Sequence, residues 1–445
     1  MPGNLAGALA SSGWIAQNRR VRREVSLCSA VPVAGPGPQG GADLSPPDVG
    51  EAFIRLALAI DQHFPGYVDA YFGPQALSHA ARQRGKVPLP ELAAEAQELA
   101  ASIAGDGSLA HRRRAWLQGE ITAMQTTLSL LAGEALDILI EVRRLYGVTP
   151  AWVEETTFEE AHRALEAVLP GSGPVAERAL AFRQRLRVSL ERIRPAFDRL
   201  HEDLRRRTLA YFPLPHEETC DVACVRDKPW LAFNAYRGSG RSRIDFNLDW
   251  PMHLHQLPEI LAHEAYPGHH TELAIKEERL VQGEGWLEQS VVLSNSPACL
   301  VSEGMAMNAL EVIAMPDEVT AYYADLLAAA GLPAQEASRV ADFVRAGRPL
   351  DRVSDNKILL LHGEKVSGDE VVAYGVRYGL TPEDEQRKQL RFYQEPLSRS
   401  YGFNYTIGRD LVARYLAAAP DRKAAFTVLL SEPMTPRQLD LVADA

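Results

Sequence analysis

His263-Glu264-Ala265-Tyr266-Pro267-Gly268-His269-His270 reads as a metal-binding helix interrupted by a proline and a glycine. Neutral imidazoles can hold an ion and a neighbouring carboxylate can take a proton from an activated water, so His-Glu followed closely by His carries the parts of hydrolytic metal chemistry. The usual His-Glu-x-x-His pattern sets its histidines at i and i+4 on one helical face, but here i+4 is Pro267. On an unbroken helix His269 would lie about 240° around from His263, and His270 would return to the same face about 10 Å further on. Neither could then share an ion with His263. Pro267 lacks the N–H that would bond the His263 carbonyl and Gly268 tolerates a sharp bend, so the spacing predicts a bulge or restart at this point. Absorbing two residues brings His269 to the place of the ordinary second histidine. His270 needs three absorbed and stands as the alternative ligand. The competing reading is a helix cap or a satisfied polar cluster.

Residues 256–266 pattern as a helix with Leu257, Ile260, Leu261 and Ala265 on its inward stripe. A third ligand is expected from a separate helix, and Glu303 in Pro297-Ala-Cys-Leu-Val-Ser-Glu-Gly-Met-Ala-Met-Asn308 is the candidate. Pro297 suits a first helical turn, and a carboxylate set among small apolar residues is costly to bury unless it is paired or bound to a cation. Gly304 and Ala306 are expected to let this helix pack closely on the histidine helix. A partly exposed glutamate with a surface partner is the alternative, and Glu311 is expected near the surface or supporting the site.

The His-Glu-x-x-Pro-Gly-His-His segment, the Glu303-Gly-x-Ala306 helix, Tyr405-Thr-Ile-Gly408 and Ala70-Tyr-Phe-Gly-Pro74 together resemble the bacterial domain-of-unknown-function 885 family, over about residues 50–430. That family is similar to helical zinc metallopeptidases of the gluzincin type. The resemblance implies a mostly α-helical fold with a deep channel, to which residue patterns elsewhere in the chain add two lobes and a small β-hairpin or sheet beside the active-site helix. It also implies Zn2+ held by His263, His269 and Glu303, with Glu264 as general base. Family members carry Trp and Tyr where this chain has Met305 and Asn308, which alters the expected pocket. A hydrolase of this kind needs a donor for the developing oxyanion, and Tyr405 is the first choice because the family motif falls on it; a core tyrosine beside a close-packing glycine is the other reading. Arg391, Arg399 and Arg409 are candidates for gripping a substrate carboxylate.

Trp230 to Asn247 alternates aromatic and polar residues across Gly238-Ser-Gly240, the pattern of a β-hairpin. Such a strand could hold extended substrate through its backbone or simply cap the channel. Asn247 is expected to orient a ligand or form a turn.

With 445 residues and 46% hydrophobic content the chain can bury one large core or two lobes. Its net charge of −11 argues against nucleic acid as a partner. The Arg19–Arg23 cluster and Arg205–Arg207 are short, the latter reading as a solvated helix face. Cys28, Cys220, Cys224 and Cys299 form no framework pattern and read as reduced thiols. Residues 1–47, rich in Gly, Pro, Ala and Ser, read as a flexible extension without a signal-peptide pattern, and no stretch is long enough to span a bilayer. A cytoplasmic location without membrane partners follows as the expectation. Helical periodicity is expected at 51–60, 91–104, 112–146, 174–209 with a kink at Pro195, 256–280, 297–314, 317–330, 333–346, 351–365, 383–395 and 404–418. This divides the chain into an N-terminal helical lobe, 48–210, and a catalytic lobe, 211–445. The expected function is a zinc-dependent hydrolase, a metallopeptidase cleaving short peptides or peptide-like amides. A metallohydrolase for other amides or esters and a non-catalytic helical binding protein are the alternatives.

Overall fold

In a computed structural model, residues 48–227, 232–249 and 252–443 are described. The expected extension 1–47, with the Arg19–Arg23 cluster and Cys28, and Trp230-Leu231 of the expected hairpin lie outside these residues.

The fold is mostly α-helical with small sheets. Two expected long helices are broken for local reasons. The 112–146 stretch divides into His111–Leu131 and Ile138–Tyr146. Between them Gly133 takes φ +91° and the Asp137 side chain caps the next helix by accepting from Leu139 N at 2.9 Å. The 174–209 stretch divides into Val175–Arg185 and Leu190–Leu209, so the interruption precedes Pro195, which sits inside the second helix. At the break Arg187–Val188 forms a short strand instead.

Seven strands lie among the described residues: β1 (Val68–Tyr71), β2 (Arg187–Val188), β3 (Thr219–Val225), β4 (Ala232–Tyr236), β5 (Arg241–Asn247), β6 (Met252–His253) and β7 (Val291–Leu293). β1 pairs with β7 and β2 with β6, while the third sheet has the order β3-β5-β4. The hairpin is β4-β5, with Tyr236 opposite Ser242 and Ala232 opposite Phe246. Its turn passes through Gly238 and Gly240 at positive φ, and Glu277 holds the tip by accepting from Ser239 N at 2.9 Å. β3, parallel to β5, is a strand that the periodicity did not mark. Asn247 forms a turn, its side chain accepting from Asp249 N at 3.1 Å.

The larger apolar core joins Ile193, Phe197 and Leu204 of the Leu190–Leu209 helix to Leu257, Ile260 and Leu261 of the histidine helix and to Leu300 and Met305 of the glutamate helix. A second core packs Phe53 and Ile60 against Leu92, Trp116 and Met124, and Val291 and Leu293 of β7 close it. The histidine helix therefore sits on a packed floor, which fixes the direction in which its polar side chains leave.

Candidate metal centre

The histidine helix runs Leu257–Glu264 with Pro258 in its first turn, and it ends where the pattern requires. The chain then folds under itself, Gly268 N donating to Ala262 O at 2.9 Å, before a new helix runs His269–Lys276. A Cβ on Gly268 would lie 2.5 Å from Ala262 O and nearer still to His263 O, so this close approach needs glycine. The glutamate helix, Pro297–Ile313, is capped by Ser296, whose hydroxyl accepts from Cys299 N at 3.2 Å.

These elements bring His263, His269 and Glu303 together. His263 Nε2 lies 3.1 Å from His269 Nε2 and 3.3 Å from Glu303 Oε2, and His269 Nε2 lies 3.7 Å from Glu303 Oε2. Neighbouring ligand atoms of a tetrahedral zinc, at bonds of about 2.0–2.1 Å, are about 3.3 Å apart. A point about 2.1 Å from all three atoms exists, about 0.7 Å out of their plane, leaving one tetrahedral direction to an outside ligand. Unpaired atoms agree with the fit, since the buried Oε2 atoms of Glu303 and Glu264 have no hydrogen-bond partner. His263, Glu264 and Glu303 are closed off, whereas the His269 side chain is 18% exposed, so solvent reaches the group past His269.

Supporting contacts orient the donors. Ser302 Oγ donates to Glu272 Oε2 at 2.5 Å, so its contact with His269 Nδ1 at 3.2 Å is one in which Nδ1–H donates. That leaves the lone pair of Nε2 facing the centre, the arrangement that prepares a metal-ligating histidine. Lys276 Nζ lies 2.6 Å from Glu272. On the other side Tyr401 OH donates to Glu303 Oε1 at 2.9 Å. Burial works against ionisation of Glu303, but His263 and His269 outweigh it and hold the carboxyl well below the usual range. Burial lowers the basicity of His269, yet Glu272 and Glu303 outweigh it and raise it well above the ordinary value. The pocket thus favours positive charge, which a divalent cation would satisfy. Burial pushes the Glu264 carboxyl up, with His263 and His269 partly opposing the shift.

His270, the alternative ligand, is not in this group. It points to a different face of its helix, with Nε2 2.8 Å from Glu218 Oε2 and Nδ1 2.9 Å from Ser242 Oγ. Tyr266 OH donates to the same Glu218 oxygen at 2.5 Å and Arg205 pairs with its other oxygen at 2.8 Å. Adjacent residues on a helix are about 100° apart, so clamping Tyr266 and His270 onto Glu218 turns His269 towards His263. Arg205 therefore serves a buried carboxylate.

Tyr405 is buried beside the group, its ring centroid 6.4 Å from that of His263 and 5.7 Å from that of Tyr401. Gly304 meets the tyrosine helix, Phe403–Ala418, rather than the histidine helix as expected: a Cβ on Gly304 would lie 2.9 Å from Gly408 Cα and nearer still to the Gly408 carbonyl. Ala306, by contrast, lines a small cleft with His263, Glu259, Asp351 and Arg409. Met305 is buried, and Asn308 Nδ2 donates to Gly304 O and Arg409 O, tying the two helices together. Arg409 pairs with Asp351 at 2.8 Å, Arg399 is engaged by buried Glu141, and Arg391 is exposed. Glu311 is also exposed and pairs with Arg348 at 2.7 Å.

The sequence reading missed Glu272, Ser302, Tyr401 and Glu218. Glu272 lies at i+3 from His269, a spacing that puts it on the same face, and Ser302 precedes Glu303. Glu218 carries no local signal. The free Cys220, Cys224 and Cys299 take no part in the group of three.

No family model matches this chain, and no curated protein does. It is similar to the solved structure of the putative lipoprotein from Colwellia psychrerythraea, with a TM-score of 0.50 and 15% identity over 79% of this chain. This chain spans 65% of that structure's length, and the likeness is one of fold. Among the described residues no single helix is long and apolar enough to cross a membrane.

Proposed function

We propose that this chain is a zinc-dependent hydrolase, a metallopeptidase acting on short peptides or peptide-like amides. The observation that carries this reading is the near-equilateral triangle of His263 Nε2, His269 Nε2 and Glu303 Oε2, with the buried Oε2 of the next residue, Glu264, left without a partner. Three protein ligands with one direction left to an outside group is the ligand count of a catalytic site. The resemblance to the domain-of-unknown-function 885 family belongs to the same proposal.

Zinc held by these residues would supply Lewis-acid activation of a water and of the substrate carbonyl. Glu264 takes the proton of that water and returns it to the leaving nitrogen, a role suited to a buried carboxylate whose second oxygen is unengaged. Tyr405 donates to the oxyanion, while Tyr401 keeps Glu303 oriented through its 2.9 Å hydrogen bond. β4 is the outer strand of its sheet and is tied to the histidine helix by Asn234 Nδ2 donating to Glu264 O at 2.6 Å. That position suits main-chain recognition of an extended peptide.

The test is metal analysis followed by a peptide-library digest with wild type and Glu264→Gln. About one zinc per chain, chelator-sensitive cleavage, and a variant that keeps zinc but loses turnover are expected. Undiminished cleavage by metal-free protein would end the proposal.

A further inference from the structure

A second cavity, open to solvent on one side, lies between the Val353–His362 helix, the 379–389 segment and the 254–259 turn. Lys357 lines it and is buried at 1% exposure. Its Nζ donates to two neutral amide oxygens, Gln389 Oε1 at 2.5 Å and Gln386 Oε1. Gln386 is fixed in turn by Thr381. The arrangement is built rather than incidental, because a Cβ on Gly375 would lie 3.1 Å from Lys357 Cδ and nearer still to Gln386 Oε1. A buried ammonium is normally met by a carboxylate. Lys357 also faces the Tyr393 ring at 5.1 Å, which adds a weak attraction and no counter-charge.

Other parts of the wall point the same way. Arg183, 6% exposed, lines the cavity, gives one N–H to Leu380 O at 2.5 Å and has the buried Glu385 as its nearby acid, so its charge is partly met and Lys357 is the cation left to a ligand. The two acids of the wall are already matched: Glu259 by Arg348, and Asp351 by Arg409 at 2.8 Å. Gln256 is 5% exposed, and neither of its amide atoms makes a well-formed hydrogen bond, although His253 lies close by. His255 Nδ1 is likewise buried without a partner. Phe343, Leu350 and Val353 supply an apolar side.

We infer that this cavity binds a small organic anion, its carboxylate taken by Lys357 and its apolar body lying against Phe343 and Leu350. The inference is independent of zinc and of hydrolysis. Burial alone pushes Lys357 down to about 7, so an arriving carboxylate would restore the ammonium and draw a proton from solution at pH 8.

The probes are 4-phenylbutyrate and its uncharged counterpart 4-phenylbutyramide, titrated calorimetrically into the full chain at pH 8 in two buffers of different ionisation enthalpy. Saturable binding of the carboxylate, at least tenfold tighter than the amide and with net proton uptake, is expected. Lys357→Met should weaken the carboxylate at least tenfold and abolish proton uptake. Should that variant fail to fold, Leu350→Trp, which fills the apolar side, should weaken both probes. Equal affinity for the two probes, carboxylate binding without proton uptake, no binding of the carboxylate at 10 mM, or unchanged affinity in whichever variant folds would each overturn the inference.

Discussion

Gly304→Ala tests whether the geometry of the proposed zinc site depends on a helix crossing rather than on the ligands alone. The glutamate and tyrosine helices touch backbone to backbone, since a Cβ on Gly408 would lie 2.5 Å from Leu300 O and one on Gly304 would lie 2.9 Å from Gly408 Cα. Bringing such contacts to ordinary van der Waals distance requires the helices to separate by about 1 Å, which costs about 1–3 kcal/mol as overpacking. Glu303 is the neighbouring residue and moves with its backbone. Zinc–ligand distances tolerate about 0.2 Å, so a displacement several times larger should weaken zinc binding about 10–100-fold, or about 1.4–2.8 kcal/mol. Chelator competition for zinc and thermal unfolding of the metal-free protein measure the two effects separately. Gly119→Ala is the control: its Cβ would meet Pro297 Cγ at an ordinary 3.4 Å, so in mid-helix it should stabilise by about 0.4–1 kcal/mol. Wild-type zinc affinity in Gly304→Ala, with metal-free stability within about 0.5 kcal/mol of the parent, would refute the reasoning.

Alanine at His263 or His269 should abolish stoichiometric zinc, whereas His270→Ala keeps all three ligands and should loosen zinc in chelator competition without abolishing it, and lower unfolding free energy by about 1–3 kcal/mol, because Glu218 loses one buried partner and keeps Tyr266 and Arg205. Burial opposes ionisation of Glu218, but His270, Tyr266 and Arg205 hold its carboxyl down at about 2 against an ordinary 4.5. A depressed folded-state pKa contributes stability that is present above about 4.5 and lost as pH falls towards 2, so, measured from the stability each protein has at pH 7, Glu218→Gln should lose less stability than the parent across that interval, as read by urea unfolding at pH 7, 4.5 and 3. Tyr405→Phe should lower turnover about 10²-fold or more with zinc retained, as loss of an oxyanion donor does. Tyr401→Phe should instead weaken zinc about tenfold or more, seen in the same chelator competition.

Local chemistry made part of this architecture legible and long-range assembly hid the rest. Pro267 and Gly268 announce their break in the sequence, because a missing N–H and a missing Cβ are properties of single residues. Helical periodicity works in the same way, although its bounds blurred where Gly133 and Asp137 end one helix and start another. The β4-β5 hairpin was visible through its Gly-Ser-Gly turn, whereas β3 was not: Thr219–Val225 becomes a strand by pairing in parallel with β5. Glu218 is the sharpest case. It lies 48 residues from Tyr266 and 52 from His270, and nothing near it in sequence marks it, yet it decides which of two adjacent histidines turns towards His263 and Glu303. The double histidine is therefore a division of labour, His270 anchoring the restarted helix so that His269 can turn its free nitrogen to His263 and Glu303. Exchanging the two roles would require moving Glu218, and so the strand that begins beside it, which is why motif spacing alone left both histidines open as ligands.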